Sequence, residues 1–277
     1  MKQLPLFLFT LLLGTKALAG VTDTLLVYSA SMKKDIRCVI IRPDSYATGS
    51  KSYPVVYLLH GYGGSYNQWP RLAPQLKTEV DDLQMILICP DGGVGSWYLD
   101  SPVDSSFRYE TFVSRELIAY VDSHFRTLSD RDHRAITGLS MGGHGGLYLS
   151  IRHKDLYGAA GSTSGGVDIR PFPKNWDLAK RLGDTVCCRQ NWENNTVINL
   201  ADNLHNKDLK IIIDCGVNDF FLQVNRNLHQ KLLQMQIEHE YTERPGAHNN
   251  DYWKNSIDFQ LLFFKKFFDA GARVVGP

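Results

Sequence analysis

A serine with the surroundings of a nucleophile lies near the middle of the chain. Ser140 is the central residue of a Gly-x-Ser-x-Gly pattern at residues 138–142, which follows an apolar strand-like run and precedes a segment compatible with a helix. A turn between a strand and a helix holds such a serine hydroxyl clear of the backbone, and the flanking glycines avoid clashes in the tight bend. The pattern therefore predicts that Ser140 is the nucleophile of an acyl-transfer reaction.

A serine hydroxyl needs a base to take its proton and a carboxylate to hold that base in the correct tautomer. With a serine in this type of turn, the three residues follow in the order Ser, Asp or Glu, His. Three histidines come late enough in the chain, and His229 falls in a helical run while His239 falls in a strand-like run. His248 lies in a loop directly after the last strand-like run. We therefore predict that His248 is the base.

Two aspartates compete for the place of the acid, just beyond the strand-like run at residues 210–214. Asp214 is at the tip of that strand, where a carboxylate is often satisfied by the amides of a turn. Asp219 lies farther out and is able to reach the imidazole of the base. This difference favours Asp219 and keeps Asp214 as the alternative.

The oxyanion of an acyl-transfer intermediate needs two backbone N–H donors. One is expected from Met141, the residue after the nucleophile. The other is expected from the glycine-rich loop at residues 60–64, which follows an apolar strand-like run. We predict that the Tyr62 amide is this second donor, with the Gly63 amide as the alternative, and that His60 holds the loop by hydrogen bonds.

These residues must be positioned by strands and helices that alternate along the chain. Such alternation predicts an α/β-hydrolase fold, a three-layer sandwich with a mostly parallel central sheet of about eight strands and an antiparallel edge made by the first two. The longest segment without a strand signal, residues 165–208, is expected to lie over the site. The eight strand-like runs are residues 24–29, 36–41, 55–59, 85–89, 135–138, 158–162, 210–214 and 238–242.

The composition excludes several classes of protein. Thirty basic and 29 acidic residues nearly cancel in this chain of 277 residues, so no strong field points to nucleic acid or to an anionic membrane. No repeat or linker divides the chain, which predicts one catalytic domain over residues 20–277. No set of cysteines and histidines has metal-site spacing, and His248 with Asp251 lacks a third ligand. We therefore expect neither a metal nor a cofactor.

The first 19 residues predict export. A basic residue, a short apolar run at residues 4–13 and the small residues Ala17 and Ala19 are typical of a signal peptide cleaved after Ala19. An uncleaved membrane anchor is the alternative, but the run is about half the roughly 20 residues that a spanning helix needs, and Pro5 interrupts it. The mature protein is therefore expected to be soluble and secreted or periplasmic.

The five cysteines do not form an obvious disulfide framework. Cys38, Cys89 and Cys215 lie in or beside apolar strand-like runs, where a free thiol packs as a small hydrophobic group. Cys187 and Cys188 are adjacent in a polar stretch. They indicate at most one bridge, whose partner the sequence does not identify.

Five segments in the expected order resemble the esterase D-like, or feruloyl esterase, branch of the α/β-hydrolase superfamily. That branch includes S-formylglutathione hydrolases, acetyl and feruloyl esterases and mycolyltransferases, and the resemblance covers nearly the whole mature chain. The segments are residues 53–61, residues 90–92 with 96–98, residues 138–143, residues 214–216 with 219–220, and Gly246 with His248.

The resemblance implies roles for particular residues. It implies that Asp219, and not Asp214, is the acid, and that Trp97 and Tyr98 border the cleft as substrate-binding residues. His144 and the Pro-Gly-Ala-His sequence at residues 245–248 depart from the family's usual pattern. These departures leave the three reacting groups in place but affect the shape expected for the acyl pocket.

Together, residues and resemblance predict a secreted serine carboxylic-ester hydrolase that works through an acyl-enzyme. Export argues against a cytosolic thioester as the substrate and favours short-chain acyl, acetyl or feruloyl esters of carbohydrates. The alternatives are an acyltransferase of the mycolyltransferase type, in which an acceptor alcohol replaces water, and a non-catalytic binding protein on a hydrolase scaffold.

Overall fold

Eight strands form one sheet in the computed structural model, which describes residues 20–274. The predicted signal peptide, residues 1–19, lies outside the described residues. All eight predicted strand-like runs agree with the observed strands to within three residues at each end, and the last is displaced by two residues towards the C-terminus. The strands are β1 (Val21–Ser29), β2 (Lys34–Arg42), β3 (Val55–Leu59), β4 (Ile86–Pro90), β5 (Arg134–Gly138), β6 (Ala159–Thr163), β7 (Lys210–Gly216) and β8 (Glu240–Arg244).

The sheet is mostly parallel, with the order β1-β2-β4-β3-β5-β6-β7-β8. All pairs from β4 to β8 are parallel, whereas β1 pairs antiparallel with β2 and β2 pairs antiparallel with β4. The predicted sheet type and its antiparallel edge are therefore confirmed.

Helices cover both faces of this sheet. They are α1 (Ser45–Thr48), α2 (Gln68–Leu72), α3 (Leu76–Leu83), α4 (Tyr109–Thr111), α5 (Ile118–His124), α6 (Met141–Arg152), α7 (Leu178–Leu182), α8 (Arg189–Asn194), α9 (Val197–Leu200), α10 (Leu222–Gln234) and α11 (Asn250–Val274). A π-helical stretch, Phe112–Leu117, joins α4 to α5, and short 3₁₀ turns are formed by Arg131–His133 and Ala201–Asn203.

The central strands are apolar without alternation because both of their faces are covered. In β3 every residue is buried. Side chains alternate between the faces of a strand, so Val55, Tyr57 and Leu59 join the core beneath α5, α6 and α10, while Val56 and Leu58 join the core beneath α3 and α11. Two cores on opposite faces of one sheet give the predicted three layers.

The carboxyl ends of the parallel strands meet at one edge of the sheet, which is where open α/β sheets bind their ligands. The loops that follow β3, β5, β7 and β8 all begin there and carry His60, Ser140, Asp219 and His248, respectively. The segment at residues 165–208 follows β6 and also begins at this edge. The topology therefore brings the predicted site residues together from four separate parts of the chain.

The positions of the three strand cysteines agree with those expected from the sequence. Cys38, Cys89 and Cys215 are buried in β2, β4 and β7 as free thiols, and burial raises the pKa of Cys38 to about 12. Cys187 and Cys188 are also free, with their sulfur atoms 2.9 Å apart. No helix within residues 20–274 is both long enough and apolar enough to cross a bilayer.

Candidate active site

Ser140 occupies a strained turn between β5 and α6. Its backbone has φ 55° and ψ −115°, a conformation that side-chain-bearing residues rarely adopt. A Cβ atom on Gly138 would stand 2.5 Å from the carbonyl oxygen of Leu59, and one on Gly142 would overlap the same oxygen. The two glycines therefore let the turn pack directly against the end of β3.

A continuous chain of hydrogen bonds links Ser140 to His248 and Asp219. The Oγ of Ser140 lies 2.8 Å from Nε2 of His248. On the other side of the ring, Nδ1 lies 3.0 and 2.9 Å from the two carboxylate oxygens of Asp219. A carboxylate only accepts, so Nδ1–H is the donor to it, and the neutral ring then presents Nε2 as the acceptor for the serine hydroxyl.

Asp219 is held rigidly in this position. Its side chain is fully buried, and one of its carboxylate oxygens accepts a hydrogen bond from the Phe221 amide at 2.8 Å. The adjacent Asn218 amide donates to the carbonyl of Gly246 at 2.9 Å, in the loop that leads to His248. The loop that bears the carboxylate is thus fastened to the loop that bears the imidazole.

Asp214, the alternative acid, belongs to a different network. Its buried carboxylate accepts hydrogen bonds from Ser256 at 2.6 Å, Gln260 at 2.7 Å and Tyr252 at 3.0 Å, all on α11. Burial raises the pKa of this carboxyl, while these hydrogen bonds act in the opposite direction. The contacts of Asp214 fasten α11 to β7, and it forms no hydrogen bond with His248.

Two backbone amides near Ser140 are without a protein acceptor in the part of the chain that the structure describes. Met141 is the first residue of α6, so its amide is one of those that a helix leaves unpaired. The Tyr62 amide likewise has no acceptor among the described residues, whereas the Gly63 amide donates to the carbonyl of Val94 at 2.8 Å. Of the two amides considered in this loop, only that of Tyr62 remains available to a ligand.

His60 supports the same loop. Because the amide of Gly92 donates to Nε2 of His60 at 2.7 Å, the ring proton is on Nδ1, which donates to the Gly61 carbonyl at 2.8 Å. Burial lowers the pKa of this histidine, which favours the neutral form of the ring over the imidazolium. A Cβ atom on Gly61 would stand only 3.5 Å from Cβ of Ser140, so His60 holds the loop close to the serine.

His144, one turn after Ser140 on α6, makes its hydrogen bonds with other residues than the serine. It is fully buried, with Nδ1 3.2 Å from the carbonyl oxygen of Trp97 and Nε2 2.9 Å from that of Asn195. Burial lowers its pKa to about 4. Its ring stacks on Tyr148, so His144 is a core residue that joins α6 to two neighbouring loops.

Trp97 and Tyr98 lie beneath the site. Both side chains are buried, with exposures of 1% and 0%. The indole N–H of Trp97 donates to the carbonyl of Trp176 at 3.0 Å, and the hydroxyl of Tyr98 donates to the carbonyl of His60 at 3.1 Å. The structure therefore does not place either side chain on an open surface of the cleft, and both support loops that do border it.

Two aromatic residues that the sequence analysis did not select lie beside His248. Phe220 is 52% exposed, and its ring centroid is 4.2 Å from that of His248. The ring of Trp176 stacks on Phe220 with a centroid distance of 5.6 Å and an interplanar angle of 18°. Trp176 belongs to the segment at residues 165–208, which therefore reaches the site. The position of Phe220 directly after Asp219 was the signal that could have identified it.

The site is built from a hydroxyl, an imidazole, a carboxylate and backbone amides. Within the described residues, no group of three or more His, Cys, Asp or Glu side chains is arranged to hold a metal ion. The pair of His248 and Asp251 considered above therefore gains no further ligand there.

Comparison with known proteins agrees with this fold. A family model described as "Putative esterase" matches residues 29–264. The chain belongs to this esterase family, in the esterase D-like branch of the α/β-hydrolase superfamily. The family and the fold predicted from the sequence are thereby confirmed.

Individual relatives are only distantly similar to this chain in sequence. An esterase of Mycobacterium tuberculosis is 28% identical over 235 residues, which are 76% of this chain and 51% of the relative. The chain thus spans about half the length of that relative. The acetyl esterase of Caldicellulosiruptor saccharolyticus is 28% identical over 249 residues, 83% of this chain and 92% of the relative. A solved structure of a ferulic acid esterase superimposes with a TM-score of 0.78 at 26% identity, covering 90% of this chain and 99% of that one.

Proposed function

We propose that this protein is a serine carboxylic-ester hydrolase in which Ser140 is the nucleophile, His248 the base and Asp219 the acid of a catalytic triad. The observation that carries the proposal is the hydrogen-bond chain from Ser140 Oγ to His248 Nε2, at 2.8 Å, and from His248 Nδ1 to Asp219, at 2.9 Å. Each role that acyl transfer requires is filled by a group within hydrogen-bond reach of the next.

The reaction proceeds in two steps. In the first, Ser140 Oγ attacks the ester carbonyl carbon as His248 Nε2 takes its proton, and the imidazolium then protonates the departing alkoxide as the ester C–O bond breaks. In the second, a water molecule attacks the acyl-Ser140 ester after losing a proton to His248, and the carboxylic acid leaves as the proton returns to Ser140. Asp219 stabilises the imidazolium that forms in each step.

The amides of Tyr62 and Met141 form the oxyanion hole in this proposal. They come from two different loops that the packing against β3 and β5 holds together, so they are oriented before the substrate binds. Removing one such donor in other serine hydrolases costs roughly 2.7–4 kcal/mol of transition-state stabilisation. The rigid support of the loop by His60 is consistent with that requirement.

The proposed substrates are short-chain acyl, acetyl or feruloyl esters of carbohydrates. The similarity to an acetyl esterase and to a ferulic acid esterase supports this choice. The exposed ring of Phe220 beside His248, with Trp176 stacked on it, offers an apolar surface for the acyl group.

We place the enzyme outside the cytoplasm, as a single catalytic domain of residues 20–277 released by cleavage after Ala19. The basic start, the short apolar run and the small residues before position 20 support export. Esters of extracellular carbohydrates are accessible only to an exported enzyme, so this location and the proposed substrates are consistent with each other.

Covalent labelling tests the proposed function directly. A fluorophosphonate probe is expected to label the wild-type protein and not the Ser140→Ala variant, and p-nitrophenyl acetate, methyl ferulate and acetylated xylan are then assayed for release of acid. Absence of labelling in a folded wild-type protein would support a non-catalytic binding protein. If added glycerol or sugar turns most of the product into a new ester, the protein is an acyltransferase.

A further inference from the structure

A groove of about 330 Å³ is lined by residues from two of the loops that carry proposed catalytic groups. One wall contains Gly63 and Gly64, which follow the residue whose amide is the proposed oxyanion donor. Another wall contains Asn250, two residues after His248. The groove therefore lies between the loop of the oxyanion hole and the loop of the proposed base.

The groove is strongly polar. Its side chains include Ser65, Asn67, Gln68, Arg71 and Asn250, and no carboxylate is among the described residues that line it. Leu72 is the one aliphatic side chain in that lining. A ligand that fits here must exchange hydrogen bonds with amides and a hydroxyl and must be compatible with a positive charge.

The amide of Gln68 is oriented by the backbone. Its Oε1 accepts a hydrogen bond from the Gly61 amide at 2.9 Å, so its NH₂ group remains as a donor for a ligand. Gly64 is needed beside it, because a Cβ atom there would overlap the Gln68 side chain. Arg71 is exposed and one helical turn farther along α2. Hydrogen-bond donors thus follow one another along the groove.

The two sides of the site differ in polarity. On one side of His248 lies the apolar pair Phe220 and Trp176, with Phe220 4.2 Å from the imidazole between ring centroids. The polar groove includes neither of these rings in its lining. The leaving oxygen of an ester must come within hydrogen-bond reach of His248 Nε2, so the alcohol and the acyl group leave this point in different directions.

We infer that the groove lined by Asn67, Gln68, Arg71 and Asn250 binds the alcohol portion of the ester, and that this alcohol is a polyhydroxylated one, a sugar. The inference rests on the proposed function and adds to it the residues that bind the leaving alcohol. The acyl group then lies against Phe220 and Trp176.

The test measures kcat/KM for three acetyl esters that differ only in the alcohol: ethyl acetate, a mono-acetylated methyl glucoside and a mono-acetylated methyl glucuronoside. Wild-type protein is compared with Arg71→Ala, Asn250→Ala and the control Arg37→Ala, which removes an exposed cation on β2 outside the groove. The readout is the ratio of kcat/KM for a sugar ester to kcat/KM for ethyl acetate. Differences in the chemical reactivity of the alcohols cancel when this ratio is compared between variants.

The ratio is expected to fall about five-fold in Arg71→Ala and in Asn250→Ala and to stay constant in Arg37→Ala. A larger fall with the glucuronoside than with the glucoside means that Arg71 binds a sugar carboxylate, and an equal fall means that it binds hydroxyl groups. Two outcomes overturn the inference while leaving the hydrolase intact. They are an unchanged ratio, and a fall in Arg37→Ala as large as in the two groove variants. If folded protein that is able to react with the fluorophosphonate probe hydrolyses none of the three esters, the proposed function fails as well.

Discussion

The hydroxyl of Tyr62 donates a hydrogen bond to the carboxylate of Asp177 at 3.1 Å, although the two residues are 115 positions apart in the chain. This bond joins the loop of the proposed oxyanion hole to the segment at residues 165–208. The preceding residue, Trp176, stacks on Phe220, whose ring lies beside His248. Both Trp176 and Asp177 have positive φ angles, 50° and 57°. Two adjacent residues in an unusual backbone conformation thus contact both sides of the site.

Loss of the bond between Tyr62 and Asp177 is expected to lower kcat about two- to five-fold, because the oxyanion loop loses an anchor while its backbone amide remains. The effect is small because the bond is exposed and a typical hydrogen bond contributes only about 1 kcal/mol. Steady-state kinetics of Tyr62→Phe and Asp177→Asn on p-nitrophenyl acetate measure it, with Tyr28→Phe, an exposed tyrosine on β1, as the control. A change in KM alone would show that these side chains contact the substrate instead.

The two aspartates near the end of β7 are expected to respond differently to amidation. Asp219→Asn should lower kcat about 10⁴-fold, the effect of the same change in a serine protease triad, and leave the fold intact. Asp214→Asn should mainly lower the free energy of unfolding, because a buried network with α11 loses its acceptor. Kinetics and urea unfolding of both variants separate the roles. A fully active Asp219→Asn enzyme contradicts the proposed triad.

The buried imidazole of His144 is expected to make stability depend on pH. Burial lowers its pKa in the folded protein to about 4, whereas in the unfolded chain it titrates near its ordinary pKa of 6.5. Below pH 6.5 the unfolded state therefore binds more protons, and the free energy of unfolding falls as the pH decreases from 6.5 towards 4. At pH 5 the loss from this residue is about 2 kcal/mol.

Urea unfolding at pH 5 and pH 8 tests this dependence. His144→Gln is expected to be less stable at both values, but with a smaller difference between them than in the wild-type protein. The exposed His205 provides the matched control, and His205→Gln should keep the wild-type difference. An equal pH dependence in wild type and His144→Gln would mean that other groups are responsible.

Replacement of Phe220 is expected to change the preference among acyl groups. The Phe220→Ala variant removes the exposed ring beside His248, so kcat/KM for methyl ferulate should fall about ten-fold more than kcat/KM for methyl acetate. Phe259→Ala, at an exposed phenylalanine on α11, serves as the control. Equal losses for both esters would show that Phe220 supports the imidazole and does not bind the acyl group.

Export predicts a defined mature N-terminus. Expressed with its natural first residues in a host that has a secretory signal peptidase, the protein should appear outside the cytoplasm with Gly20 as its first residue. N-terminal sequencing of the extracytoplasmic fraction measures this. Retention of Met1 in a membrane fraction would favour the uncleaved anchor.

Local patterns were sufficient to predict most of the fold. Both faces of the central strands are covered, so their apolar runs are continuous and their limits are clear from the sequence. The last strand is the one displaced by two residues at both ends: a run was predicted at residues 238–242, whereas β8 is Glu240–Arg244. Its residues are half-buried or exposed, and a polar edge strand carries little periodic signal.

The glycines around Ser140 could be identified from the sequence alone, because the strained turn needs them. The order of serine, acid and base along the chain is likewise a property of the sequence. Which neighbouring groups are free to act depends on contacts between distant residues. The Gly63 amide is engaged by Val94, Asp214 is enclosed by α11, and Trp97 and Tyr98 are buried under loops. None of these facts has a local signature, since burial and hydrogen-bond pairing are decided only when the strands have assembled. Tertiary structure alone therefore brought Trp176 onto the ring of Phe220 beside His248.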